Sequence, residues 1–216
     1  MFINIHSHHP VIENEFAIQN WGTQFESMAT GAFYSVGLHP WHIDVLTYKK
    51  QFKLLEQSAS EIQVLAIGEC GLDKACATNF ELQQKVFANH IELANTFHKP
   101  LIIHCVRAYE AVQQLLHQLH NQVPVIFHGF NKNQELAQQL ISKGYYLSFG
   151  KALQLSVMQQ LLFDLPKDKI FLETDDDNID IHSIYQLAAS ALQMDINSLS
   201  LQIQKNAATV FGGGLF

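Results

Sequence analysis

Positive charge is in short supply: Lys and Arg together number 13 in 216 residues, and the net charge is −7. A wide, sequence-independent grip on duplex DNA rests on many phosphate contacts, so this composition disfavours it. A small phosphate site beside a metal is still open. Cysteine is scarce too. The three present are odd in number and show no Cys-x-x-Cys spacing, which argues against a disulfide framework and for a reduced cytoplasm. Long apolar runs are missing, and no signal-peptide pattern opens the chain. A cytoplasmic protein with no membrane partner is therefore expected. No internal repeat appears beyond an alternation of strand-like and helix-like segments, and no linker interrupts it. Residues 1–216 are expected to form one domain, and 48% hydrophobic residues are ample for a packed core.

What the chain does have is a series of apolar runs that end in metal-capable side chains. Phe2 to Ile5 runs into His6, Ser7 and His8. On a strand, the i, i+2 spacing puts both histidines on one face, where they can chelate one divalent ion. The pattern recurs: Gln63 to Gly68 runs into Glu69, Pro100 to Ile103 into His104, Pro124 to Phe127 into His128, and Ile170 to Leu172 into Glu173, Thr174 and Asp175. In a parallel α/β barrel the C-terminal strand ends gather at one mouth. Cys70 and Cys105 directly follow Glu69 and His104; alternation turns them off the ligand face and marks them as packing residues.

The strands read as 2–6, 15–21, 33–38, 63–69, 100–104, 123–127, 145–149 and 170–173. Between the first two lie only Pro10 to Asn14, too few residues for a crossover helix. The fold expected is a shortened α/β TIM-type (β/α)8 barrel whose first helix is missing. Helices are predicted over 44–60, with Val45, Tyr48, Phe52 and Leu55 on one stripe, and over 79–97, where His90 sits in the apolar stripe as a core histidine. Further helices are predicted over 107–120, from an Asn131 N-cap to Lys143, and over 152–163, 180–193 and 198–211.

The segments His6-Ser7-His8, Gly37-Leu38-His39-Pro40, Gly68-Glu69-Cys70-Gly71-Leu72-Asp73, Ile103-His104, His128-Gly129-Phe130 and Glu173-Thr174-Asp175 resemble, in order, the TatD family of metal-dependent hydrolases. The resemblance implies a TIM-type barrel, and several members are described as DNases or exonucleases. It implies that His6, His8 and Asp175 surround one metal, His104 and His128 a second, with Glu69 between them. Such imidazole and carboxylate mixtures suit Zn, Mn, Fe or Ni, with Mg also used in the family; one or two ions per chain are expected. Asp175 and Glu69 are the expected catalytic groups, Asp175 orienting the attacking water or taking its proton. His39 and Arg107 are candidates for holding a substrate phosphate. Asn4 and Asp73 are expected to brace the ligands.

Departures from the family pattern also bear on function. Asn4 stands where the family usually has Asp, so an amide replaces a negative charge. Arg107 follows His104 by three residues where many relatives have an Arg two after. Asp176-Asp177 replaces the usual Ser-Pro or Ala-Pro and adds negative charge that repels phosphates. The leading expectation is hydrolysis of phosphodiesters at nucleic-acid ends, on single strands or frayed termini. The alternative is an ester or amide hydrolase such as an aminoacyl deacylase. A non-enzymatic binding module has no chemical need for this ligand set.

Overall fold

The computed structural model describes residues 1–22, 28, 29 and 31–215. Eight strands are hydrogen-bonded in the sequential order β1 to β8, and the fold class is the α/β, TIM-type (β/α)8 one expected. They are β1 (Phe2–Ser7), β2 (Glu15–Asn20), β3 (Phe33–Val36), β4 (Val64–Asp73), β5 (Leu101–Val106), β6 (Val125–Phe127), β7 (Tyr146–Phe149) and β8 (Ile170–Leu172). The helices are α1 (Tyr48–Ala59), α2 (Phe80–Phe97), α3 (Tyr109–Gln118), α4 (Gln134–Ser142), α5 (Ser156–Phe163), α6 (Ile181–Ala191) and α7 (Ile196–Phe211). Residues 8–14 are irregular, so no helix follows β1. The chain divides into two compact units, residues 1–19 with 126–216, and residues 20–125.

In the first unit, β7 pairs in parallel with β6 and β8, and Ser7 forms a parallel bridge to Asp175. Its core includes Ile3, Ile5, Phe127, Phe149, Phe171 and Tyr185, all buried. The helices start where short polar side chains satisfy orphan N–H groups: Asp180 accepts from Ser183, and Asp195 from Asn197 and Ser198. In the second unit, β4 pairs in parallel with β3 and β5, and α2 covers β4. Asn79 caps α2 by accepting from Leu82 N, and the helix stops at a left-handed His98.

Several expectations need correcting. Val45 is exposed, because Asp44 accepts from the N–H groups of Leu46 and Thr47 and holds 44–47 in turns ahead of α1. The α4 cap is Asn133, which accepts from Leu136 N, and not Asn131. The helix expected over 152–163 is a 3-10 turn at Lys151–Gln154, then an extended Leu155, then α5. Strand β4 runs on to Asp73, four residues past Glu69. It can lie close to β5 because a Cβ at Gly71 would collide with the His104 carbonyl oxygen.

Candidate metal clusters

In the first unit, β1 carries His6, and His8 directly follows its end. His6 is fully buried and His8 exposed. Both Nε2 atoms stand 3.5 Å from the same Asp175 oxygen, Oδ1. Asp175 is not a continuation of β8: its φ of +56° is left-handed, so a simple alternation from Glu173 does not aim it. Its aim comes from β1, since Asp175 N donates to His6 O and His8 N donates to Asp175 O. Asn4, fully buried, accepts from Thr174 N and donates to Thr174 Oγ1 and Glu15 Oε1. The amide thus locks the Glu-Thr-Asp segment to β1 without contributing charge.

His128 packs its ring 4.4 Å from that of His6 and places Nδ1 3.4 Å from Glu173 Oε1. The same Glu173 oxygen accepts from Gly129 N at 2.6 Å, while Oε2 is buried with no hydrogen-bond partner among the described residues. A buried carboxylate oxygen left in this state is costly unless a cation faces it. A cleft of about 400 Å³ opens beside this group, lined by Asn131, Lys151, Gln154, Glu173 and Asp175 among others. Lys151 Nζ pairs with Asp177 Oδ1 at 2.5 Å. One of the two extra acidic groups is therefore neutralised within the chain, whereas Asp176 is exposed.

In the second unit, Glu69 Oε1 lies 3.1 Å from both His39 Nε2 and His104 Nδ1. Asn20 holds Glu69 twice, donating to carboxylate Oε2 and accepting from the backbone N–H. His104 Nε2 lies 3.0 Å from Asp73 Oδ2. Burial alone would push the Asp73 carboxyl up, but hydrogen bonds from Trp41, His104 and Ala75 outweigh it and hold the group below its ordinary value. An ionised Asp73 takes the Nε2 proton of His104 as its hydrogen bond and turns the Nδ1 lone pair towards Glu69. His39 differs. Its Nδ1 accepts from Trp41 N at 3.1 Å, so in the neutral ring the proton sits on Nε2 and points at Glu69. Burial lowers the His39 pKa, only partly opposed by Glu69, which favours that neutral form. Nearness to Glu69 and His104 would count His39 as a ligand. The tautomer instead makes it a donor.

Two donors about 2.1 Å from one ion, at tetrahedral or octahedral angles, stand about 3.0–3.4 Å apart. The His6, His8 and Asp175 atoms at 3.5 Å and the Glu69 and His104 atoms at 3.1 Å approach that spacing. Each donor set fits a divalent cation. Arg107 lies exposed at a left-handed turn after β5, and among the described residues no hydrogen bond or ion pair ties it to Glu69 or His104.

Glu173, Trp41 and Asn20 were not among the expected site residues. Glu173 was legible in the Glu-Thr-Asp motif, and Trp41 directly follows His39-Pro40. Two buried polar residues on α2 act from a distance. Gln83 accepts from Asp73 N and donates to Asp73 O, and His90 Nε2 accepts from Leu38 N, next to His39. His90 is a core histidine as expected, and it also fixes the backbone at His39.

A family profile described as TatD related DNase matches residues 11–212. An uncharacterized metal-dependent hydrolase, YabD, from Bacillus subtilis is 32% identical over 66% of this chain and 58% of its own length. A protein named 3'-5' ssDNA/RNA exonuclease TatD from Cronobacter turicensis is 31% identical over 70% of this chain and 59% of its own. The chain spans 54% to 65% of the length of the first curated relatives it matches. Among solved structures, YJJV, a TatD homologue from Escherichia coli, superposes with a TM-score of 0.71 at 20% identity, covering 83% of this chain and 76% of that one.

Proposed function

The chain belongs to the TatD-related DNase family, and on that premise we propose that it is a divalent-metal-dependent hydrolase of phosphodiesters at single-stranded nucleic-acid ends. The observation that carries the proposal is the convergence of His6 and His8 on one oxygen of Asp175. His6, His8 and Asp175 would hold one ion; Glu69, His104 and His128 are the further ligands, with Zn, Mn, Mg, Ni or Fe as candidates. A divalent ion there lowers the pKa of water towards about 7 and offsets charge on the phosphoryl oxygens.

Asp175 can take the proton of the attacking water, since its side chain is one-third exposed and its backbone is held to β1 by two bonds. Glu69, fixed by Asn20, keeps its orientation without reorganising. His39 can turn its Nε2 proton from Glu69 to a substrate oxygen. Lys151, beside the cleft, can exchange Asp177 for a phosphate. With so few basic side chains, ends and single strands are preferred to internal duplex sites. No helix among the described residues is long and apolar enough to cross a membrane, and no membrane partner is proposed.

The test is hydrolysis by the purified chain of single-stranded DNA, RNA and a panel of small esters and aminoacyl linkages, with and without added divalent ions. End-directed, metal-dependent cleavage of single strands is expected. Turnover of esters alone would replace the phosphodiester reading with the ester or amide one, and rapid nicking of closed circles would remove the end preference.

A further inference from the structure

Trp41 is 60% exposed, beside the Glu69–His104 cluster. A large indole left in water usually moves freely or packs down against its neighbours. This one is held in place. Its Nε1–H donates to Asp73 Oδ2 at 2.6 Å, and its backbone N–H donates to His39 Nδ1. The ring meets His39 edge-on at 4.9 Å and 88°, and His104 at 5.9 Å and 77°. The buried Pro40 opens the 3-10 turn that carries it. More than half of the indole therefore stays open to solvent while its Nε1 edge is anchored.

We propose that Trp41 is a stacking platform for an unpaired nucleobase of the substrate, an inference that rests on the nucleic-acid reading above. Stacking on an aromatic face is sequence-tolerant, because every base has a π-face, and it removes apolar surface of both partners from water. Pre-anchoring leaves little side-chain freedom to lose on binding. The surrounding charge points to the base and not the phosphate. Asp73, bonded to the indole, repels anions, whereas a neutral base meets no such penalty. Because Asp73 Oδ2 also receives His104, a base seated on Trp41 is set in register with that imidazole.

The experiment measures hydrolysis by the metal-loaded chain of short single-stranded oligonucleotides ending in an ordinary or an abasic nucleotide. Wild type should show a KM about 10-fold lower for the base-bearing end. Trp41→Ala should lose that preference. Trp41→Phe should keep much of it, since the ring remains although the bond to Asp73 is gone. A merely structural tryptophan predicts that Phe and Ala behave alike. Preference retained in Trp41→Ala overturns the proposal, with thermal unfolding of each variant confirming the fold.

A parallel binding readout separates this from the reaction itself. In a Trp21→Phe background, Trp41 is the remaining tryptophan. Its fluorescence should be quenched saturably by the base-bearing oligonucleotide and not by a fully abasic one. Quenching without hydrolysis leaves the platform standing and removes the phosphodiesterase reading. Hydrolysis without base dependence or quenching removes the platform alone, and absence of both removes the two together.

Discussion

In the unit of residues 1–19 and 126–216, His6 and His8 each stand 3.5 Å from Asp175 Oδ1, at the far edge of hydrogen bonding. In the unit of residues 20–125, the Glu69 and Asp73 carboxylates stand 3.0–3.1 Å from imidazole nitrogens, a closer spacing. The first group is aimed by backbone, through the bonds between β1 and Asp175. The second is aimed by side chains, with Asn20, Trp41 and Asp73 each fixing a neighbour. Backbone aiming sets positions. Side-chain aiming sets tautomers in advance. Loss of a ligand should therefore act differently in the two units.

The largest effect is expected at Asp175. Asp175→Asn keeps size and one coordinating oxygen but loses charge, and turnover of the best substrate should drop at least about 100-fold. Thermal unfolding should shift little, because the group is partly exposed. Near wild-type turnover with full metal content would rule out its role as base; lost metal with an intact fold would leave it a ligand only.

The next comparison is of metal binding. His6→Ala with His8→Ala should remove binding at one position, read by Zn or Co titration calorimetry; unchanged stoichiometry would sink that assignment. Asp73→Asn touches no ion directly, yet should weaken binding at the Glu69–His104 group about 10–100-fold by releasing the His104 tautomer. If Asp73→Asn leaves affinity untouched, side-chain aiming is not what organises the second cluster.

A third prediction concerns pH. Burial drives the His90 pKa down from 6.5 to about 4, against a smaller upward effect of its bond to Val86 O. Between those values the unfolded chain binds a proton that the folded chain refuses. The contribution is thus fully present above about pH 6.5 and is lost as pH falls towards 4, about 3 kcal/mol in all. His90→Gln can still accept from Leu38 N but does not titrate. Denaturant unfolding across that range should show a flatter profile for the variant; parallel profiles would refute the assignment.

The smallest effect is expected at Asp177→Asn. The Lys151 pair is exposed, so stability should hardly change. KM for single strands should fall slightly as Lys151 is freed, and the change should fade at high salt. A rise in KM would mean that the pair orients Lys151 productively.

Most of the architecture was legible because strand-end ligands and apolar periodicity are local signals. The absent first helix followed from a residue count alone. Where reading failed, a competing local bond decided: Asp44 drew 44–47 into turns, and Asn133 capped α4 in place of Asn131. At the sites, His6, His8 and Asp175 were named from position, and the structure brings them together. The aim of Asp175 was not readable, since a left-handed residue breaks the strand alternation on which parity rests. Nor was the His39 tautomer, which depends on a backbone N–H two residues away. Glu173 ends an apolar run as the ligands do, whereas Trp41, beside the Gly-Leu-His-Pro segment, is not distinguished by spacing.

Helix α2 sets a limit on how the core can be redesigned. Gln83 and His90 lie seven residues apart, two turns of helix, and both are wholly buried. By volume and burial they invite replacement with leucine or methionine. Either exchange would strand backbone groups of Asp73 or Leu38 and let a loop bearing a site residue drift. A library selected for stability alone could thus accept apolar residues at positions 83 and 90 while activity vanishes. In such a screen, core mutations far from any ion would be indistinguishable from lesions in the active centre.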